Sequence, residues 1–514
     1  LRDRIIEIGR DSVWYLSASA MSNLIGFLSL PILTRVFNPS EFGIFSLVNT
    51  AITLITPIFF GWVVSSVIRF YPEYKSKGKL DVFYSTIFHY APHFMLVFLA
   101  ILLPIAAFIA PLGQYRVLIC LAIAVFAFYT LFNVATGLMR ARQMALQYAV
   151  LTVFIQFMRY LVGAGIAVVL SHHVSGSFSV NGPFMGWLAG LLMVTPIELA
   201  IVKFRQHFHW KKRSKALQRE FFSFGFVLIF TTFMSEILTS ADRYMLQWFK
   251  GAYQVGLYSM VYTLITNVET LMISFIMLAA APVVFRVYEL EGEEKAVDLI
   301  GRITRYMLLV LVPAMTGMYV LRYPIIKVVT TAKYLPAQSA FLPVIAGAFL
   351  FNISWPPQLA FYLKKRTKLT LIPMSIAAVF NVVLNLYLIP RFGFRGAAWA
   401  TFAAYLVFFI IVTVMAQRYI RWKFPWIATV RIVAAGAIMT ATLEGMLHLP
   451  LHGWGGLIIL IVTGAVVYLV ALFLLRGFKH AELQLLASLP GRLPPVKRAS
   501  ARRRAKRERG RGDE

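Results

Sequence analysis

Long apolar runs separated by short polar interruptions fill most of this chain, and the interruptions hold most of the lysines and arginines. A helix crosses the hydrocarbon of a bilayer with roughly 20 mostly apolar residues. Blocks of about that length fall at 12–34, 42–68, 84–112, 115–138, 147–171, 181–203, 221–241, 254–282, 303–321, 337–363, 369–389, 394–417, 428–448 and 455–475. The pattern predicts an all-α integral membrane protein of about 14 transmembrane helices. The block at 303–321 is the shortest and meets a polar re-entry at Arg322. Prolines within the blocks, such as Pro31, Pro57, Pro196 and Pro313, fit spans whose neighbours cover the freed carbonyls.

Charge then sets the direction of threading. With the N-terminus inside, 40 of the 50 Lys and Arg residues lie on inner segments and 9 on outer loops; the remaining one, Arg159, sits within a span. That asymmetry is the positive-inside pattern, and it requires an even number of spans. Both termini are therefore expected in the cytoplasm. The net charge of +29 is absorbed by this topology and does not call for nucleic acid. With 59% hydrophobic and 14% charged residues, the chain has little apolar mass left for a soluble domain. Only about four apolar residues precede the small-residue stretch Ser17–Ala20, so the first span reads as uncleaved. The lone Cys120 permits no intrachain disulfide.

The chain resembles itself at a shift of 213 residues. Leu33 falls on Leu246, Gly43 on Gly256, Ser46 on Ser259, Val48 on Val261, Thr50 on Thr263, Ile52 on Ile265 and Thr53 on Thr266, without a gap. Corners six spans apart point the same way across the membrane, so the repeat predicts two parallel six-helix lobes with a cavity between them. The expected division is an N-lobe over 1–203, a basic linker over 204–220, a C-lobe over 221–417, an extra helix pair over 418–475 and a basic tail over 476–514. The end of that tail, about 490–514, has almost no apolar residues and is expected to be disordered and drawn to anionic lipid headgroups. Glu289, Glu291, Glu293 and Glu294 mix with Lys295 and Arg302 in what reads as a surface helix.

Four stretches resemble one family. They are Leu33-Thr34-Arg35-Val36-Phe37-Asn38-Pro39-Ser40-Glu41-Phe42-Gly43, then Ala241-Asp242-Arg243 with Val255-Gly256-Leu257-Tyr258-Ser259. Tyr323-Pro324-Ile325-Ile326 with Lys333-Tyr334 and Pro336-Ala337 follows, and last Asn381, Asn385, Leu388–Gly393 and Gly396–Thr401. Together they are similar to the lipid-linked oligosaccharide flippases of the multidrug/oligosaccharidyl-lipid/polysaccharide exporter superfamily. The resemblance implies a two-lobed fold that works by alternating access in the bacterial cytoplasmic membrane, without a cofactor; since the expected cavity lies within one chain, a monomer is expected. It implies a substrate made of a sugar repeat unit on polyprenyl pyrophosphate, moved from the inner to the outer leaflet. Polysaccharide polymerase or export proteins are the partners such a pathway brings. Many repeat-unit flippases have twelve spans, whereas fourteen resembles the peptidoglycan-precursor flippases, whose extra pair helps form a groove for the lipid tail. The alternatives are therefore a peptidoglycan-precursor (lipid II) flippase and a cation-coupled multidrug exporter.

Charged residues inside spans cost at least about 2.5–3.5 kcal/mol each to insert and call for a reason. Arg159 and Glu269 lie near the middle of spans in different lobes, with opposite signs. A guanidinium matches phosphate oxygens in bidentate geometry, so Arg159 is the first candidate for the pyrophosphate. Arg35, Arg69 and Arg243 are further candidates near span ends. Glu269, Glu236 and Asp242 are candidates for cation coupling or charge pairing, with Glu269 facing Arg159 when the cavity is empty. Glu236 and Arg243, seven apart, share one helical face. Both Glu198 and Glu444 read as interfacial. His89 and His93 have a metal-ligand spacing but no third ligand, so no metal is expected. Gly78-Lys79 is followed by Leu80, so no phosphate-binding loop of the ATPase type is present, and no aspartates are two residues apart. Nothing here suggests an enzyme. Energy for transport is expected from an ion gradient or the membrane potential, the latter worth about 2.3 kcal/mol per charge per 100 mV.

Overall fold

The computed structural model describes residues 2–89, 115–174 and 177–477, and every regular element in them is helical. The helices are α1 (Arg2–Val36), α2 (Pro39–Ser76), α3 (80–89), α4 (Arg116–Ala141), α5 (Ala145–Phe157), α6 (Gly163–His173), α7 (Gly182–Ile201), α8 (Phe204–His207) and α9 (Lys215–Lys250). They continue as α10 (Ala252–Glu291), α11 (Glu293–Val320), α12 (Arg322–Val329), α13 (Phe341–Ile353), α14 (Trp355–Leu363), α15 (Leu371–Phe392), α16 (Phe394–Gln417), α17 (Trp426–Met446) and α18 (Gly453–Leu474). Eleven of the helical segments are long and apolar enough to cross a membrane, and two bent segments, along α9 and α10, bring the number to 13. The expected span at 84–112 lies outside the described residues from position 90 onward, as does the basic tail from 478. Glu293 and Glu294 start α11, so the acidic loop expected as a separate surface helix is the ends of two long helices, α10 and α11.

Local chemistry sets the helix ends. The Asn38-Pro39-Ser40-Glu41 stretch is a capping box: Glu41 N–H donates to Asn38 Oδ1 at 3.0 Å, and Asn38 N–H to Glu41 Oε2 at 2.8 Å. Pro39 occupies the first turn, where its missing N–H costs nothing. Between α5 and α6 the helix widens into one π turn, Met158–Val162, which carries Arg159. Such bulges leave the regular ladder and re-aim side chains.

Packing centres on α2 and α10, which lie against each other; α2 also meets α4 and α9, and α1 meets α5 and α10. The α15–α16 hairpin packs on α9, and the α17–α18 pair packs on α11. At the α2–α10 crossing two glycines touch backbone directly. A Cβ on Gly43 would lie 2.0 Å from Ala252 O, and one on Gly256 would lie 1.7 Å from Pro39 O. These contacts are reciprocal. The 213-residue shift carries Pro39 onto position 252 and Gly43 onto Gly256, so the repeat read in the sequence meets its own copy here.

The stretch before α9 is clamped to α3. Lys212 Nζ and His207 Nδ1 lie 2.8 and 3.0 Å from the two Asp81 carboxylate oxygens, and Ser214 N–H donates to Thr86 Oγ1 at 3.1 Å. The Lys212 and His207 hydrogen bonds hold the Asp81 carboxyl down to about 2 from its ordinary 3.8. A carboxylate depressed in the folded state stabilises above its unfolded value and loses that contribution as pH falls toward the folded one. Hydrogen exchange at 204–214 is therefore expected to speed up between pH 4 and about 2, and Asp81→Asn is expected to remove that dependence.

Candidate functional site

Where α1, α2 and the α5–π segment face α10, a cavity of about 130 Å³ opens. Its polar lining includes Asn23, Ser46, Asn49, Gln156, Thr263 and Asn267. None of its lining residues is charged. Small amides and hydroxyls of this kind suit sugar hydroxyls, which both donate and accept.

The charge stands one layer behind. Arg159 is 5% exposed, and its Nη2 donates to Asn49 Oδ1, the same Asn49 that lines the polar cavity. The guanidinium carbon lies 3.5 Å from the Trp187 ring centroid and 4.8 Å from that of Tyr160. Arg159 also lines a second space of about 100 Å³ between α4, α5 and α7, and Gln156 belongs to both cavities. Arg140 lines that second space as well. Among the described residues, no hydrogen-bond partner meets Arg140 Nε, Trp187 Nε1, Thr152 Oγ1 or Gln156 Oε1 there. Two guanidiniums beside unpartnered polar atoms, with no carboxylate paired to Arg159 among the described residues, form an electropositive wall behind an uncharged cavity.

A second buried polar group sits among α9, α10, α15 and α16. Asp242 is fully buried; its Oδ1 accepts from Arg243 N–H at 2.8 Å, and its Oδ2 accepts from Tyr258 Oη and from Thr401 Oγ1, the latter at 3.2 Å. Asn381 reaches Thr401 Oγ1 at 3.5 Å, Asn385 donates to Asn381 Oδ1 at 2.9 Å, and Asn385 Oδ1 has no partner among the described residues. One carboxylate among neutral oxygens is a set of hard donors, which suits a hard cation rather than a soft metal. Among the described residues no group of three or more His, Cys, Asp or Glu comes together.

The remaining candidates scatter. Arg35 donates Nη1 to Pro31 O at 2.8 Å and Nη2 to Val328 O at 2.9 Å, so it joins α1 to α12. Tyr334 Oη adds a bond to Phe37 O at 3.0 Å. Arg243 stacks 4.6 Å over the Tyr262 ring and bonds Thr239 O. Arg69 is exposed, with its guanidinium 6.0 Å from the Phe70 ring. Glu236 lies near Ser240 and within the field of Arg243. None of Arg35, Arg69, Arg243 and Glu236 lines the polar cavity. The expected Arg159–Glu269 pair is not formed: Arg159 is turned to Asn49 and Trp187, and Glu269, 7% exposed, has no ion-pair partner among the described residues. Glu198, expected near the interface, stands close to the end of α7. It is fully buried in α7, and both carboxylate oxygens lack a partner among the described residues. Glu444 is exposed at the edge of an apolar groove of about 790 Å³ between α11, α13, α16 and α17. His93 lies outside the described residues, and His89 meets Arg213.

Sequence reasoning missed Asn49, Gln156, Trp187, Thr401, Asn381 and Asn385 as site members. Asn381 and Asn385 were legible as two amides one turn apart on a single face of an apolar helix. Asn49 carried no such pattern.

Comparison with known proteins gives the context for this geometry. A family profile described as "Polysaccharide biosynthesis protein" matches residues 8–288. An uncharacterized membrane protein of Methanocaldococcus jannaschii is 23% identical over 456 residues, covering 81% of this chain and 86% of its own. Among solved structures, the lipid II flippase MurJ in an inward closed conformation superposes with a TM-score of 0.71 at 16% identity, over 88% of this chain and 96% of that one. An inward-facing MATE family multidrug resistance transporter of the MOP superfamily superposes with a TM-score of 0.54 at 16% identity, over 79% and 94%. The fold is thus the all-helical one of these proteins.

Proposed function

The chain belongs to the polysaccharide biosynthesis protein family, a multi-pass membrane protein, and from that premise we propose that it is an alternating-access flippase for polyprenyl-pyrophosphate-linked oligosaccharide. The substrate moves from the inner to the outer leaflet of the cytoplasmic membrane, with both termini of the protein inside. Residues 1–203 and 221–417 act as two lobes that close and open at the α2–α10 contact, with 418–475 as an added pair. The observation that carries this reading is Arg159: a buried guanidinium without a carboxylate partner among the described residues, bonded to Asn49 on the wall of the polar cavity. Sugar hydroxyls meet the amides of the cavity, and the pyrophosphate draws on the positive wall behind it. The apolar groove bounded by α17 accepts isoprenoid. Asp242 with Tyr258, Thr401, Asn381 and Asn385 takes the coupling cation.

A second reading, transport of lipid II, is favoured by the TM-score of 0.71 to the lipid II flippase. Competition separates the two. In proteoliposomes flipping a fluorescent polyprenyl-pyrophosphate oligosaccharide, unlabelled oligosaccharide lipid is expected to compete at least tenfold better than lipid II; the reverse order transfers the assignment. Replacing Asp242 by Asn in the same vesicles is expected to abolish any dependence of the rate on a sodium or proton gradient while the protein stays folded. A gradient dependence that survives would remove Asp242 from the coupling role.

A further inference from the structure

We infer that a basic cavity formed by the first half of α11, the α16–α17 loop and the end of α18 binds the phosphate headgroup of an anionic membrane glycerophospholipid, at a site separate from the polar cavity on α1, α2 and α10. The cavity, which opens to the surface, has a volume of about 1260 Å³. Helix α16 ends on it, α17 begins on it and α18 closes it, so it lies where spans leave the hydrocarbon and headgroups begin.

Its charge is one-sided. Seven lining residues are Lys or Arg and three are Asp or Glu. Two of those acids already have partners: Glu293 pairs with Lys364, which lies outside the lining, and Asp298 pairs with Arg302. Arg418, Arg421 and Lys423, on the α16–α17 loop, are exposed, and among the described residues none of them pairs with a carboxylate. The floor is fixed rather than loose. Arg305, 4% exposed, donates Nη2 to Gly477 O at 2.6 Å, and Arg431 Nη1 donates to Arg476 O at 2.8 Å.

Threading of the chain would account for basic residues in this loop but not for a walled cavity with a buried arginine in its floor. Clustered guanidiniums fit phosphate oxygens in bidentate geometry. A lipid is favoured over a free anion by the lip. Trp426 is 70% exposed, Ile427 73% and Val430 66%, and all three stand on the first turns of α17 beside the cations. A tryptophan next to exposed aliphatic residues at a span end is the pattern of a surface that meets headgroup and acyl chain together. The inference does not depend on the transport reading, because no step of transport enters it.

The test uses the purified full-length chain, stripped of lipid in an uncharged detergent. Phosphatidylglycerol is expected to raise the thermal unfolding midpoint saturably, and phosphatidylcholine is expected to leave it unmoved. The variant Arg418→Gln/Arg421→Gln/Lys423→Gln should need at least tenfold more phosphatidylglycerol for the same shift. Its midpoint without lipid reports that it has folded. A tail variant, Arg502→Gln/Arg503→Gln/Arg504→Gln, should respond as the unaltered protein does. Native mass spectrometry should show one retained phosphatidylglycerol on the unaltered chain and none on the loop variant. The inference is overturned if the loop variant responds normally or if the tail variant loses the response. It is overturned equally if inorganic phosphate alone gives the same shift at the same concentration, which would make this a free-anion site. Protection by polyprenyl pyrophosphate without protection by phosphatidylglycerol would assign the cavity to the transported lipid instead.

Discussion

Gly256→Val is expected to reduce flipping by about 5- to 150-fold while leaving the protein in the membrane. The Cβ that any residue other than glycine adds at this position would fall 1.7 Å from Pro39 O, against an ordinary C···O contact of about 3.3 Å or more. Its neighbours are backbone atoms, so no side-chain rotation relieves the overlap; α2 and α10 must separate. Overpacking of this kind costs about 1–3 kcal/mol, and it acts only on the state in which the two helices touch. In a two-state transporter that penalty moves the population away from the closed arrangement by about 5- to 150-fold. Gly43→Val is expected to act alike, because its Cβ would meet Ala252 O. Impermeant maleimide checks the direction of the shift. With Cys120 replaced by Ser, a cysteine introduced by Thr263→Cys in the cavity lining should react from outside in the Gly256→Val background and be protected with Gly256 intact. Normal flipping and unchanged protection would show that the α2–α10 contact is not a gate.

Arg159→Ala is expected to lower flipping by about 30-fold or more, with Arg159→Lys intermediate. Removing one partner of a buried, charged hydrogen-bonded pair costs about 2–5 kcal/mol. Lysine keeps the charge but not the fork of N–H donors or the stacking on the Trp187 ring. Part of the loss in the alanine variant is structural, since the ring contacts to Trp187 and Tyr160 go too, at up to about 2 kcal/mol. Asn49→Ala separates the two contributions: it leaves both ring contacts in place and frees the guanidinium from its hydrogen bond. If Arg159→Lys flips normally with an unchanged unfolding midpoint, the anion site lies elsewhere.

The spans were legible because a bilayer imposes length and apolarity on every helix that crosses it, and each expected block within the described residues meets a helix. The 213-residue match includes Gly43 and Gly256, and both stand where the structure leaves no room for a Cβ against the facing backbone. What the sequence could not supply was radial position. Depth alone placed Arg159 and Glu269 opposite each other, but the π turn at Met158–Val162 turns Arg159 toward Trp187 within its own half of the chain. Arg35 and Tyr334 stood out as family motif residues, and their bonds to Val328 O and Phe37 O make them part of one end of the bundle rather than of the cavity. Glu198 looked interfacial from its place near a span end, yet its neighbours bury it completely. Uncharged amides such as Asn49 escape a search for charges within spans, and Asn49 helps line the cavity.

The most direct test of the proposed function is leaflet exchange itself. A fluorescent polyprenyl-pyrophosphate oligosaccharide is placed in one leaflet of vesicles holding the purified chain, and its appearance in the other is followed with a membrane-impermeant quencher. Exchange at least tenfold faster than in protein-free vesicles, and slowed in the Gly256→Val variant, is the predicted result. Exchange no faster than in empty vesicles, under an imposed inside-negative potential and with both sodium and proton gradients, would contradict it.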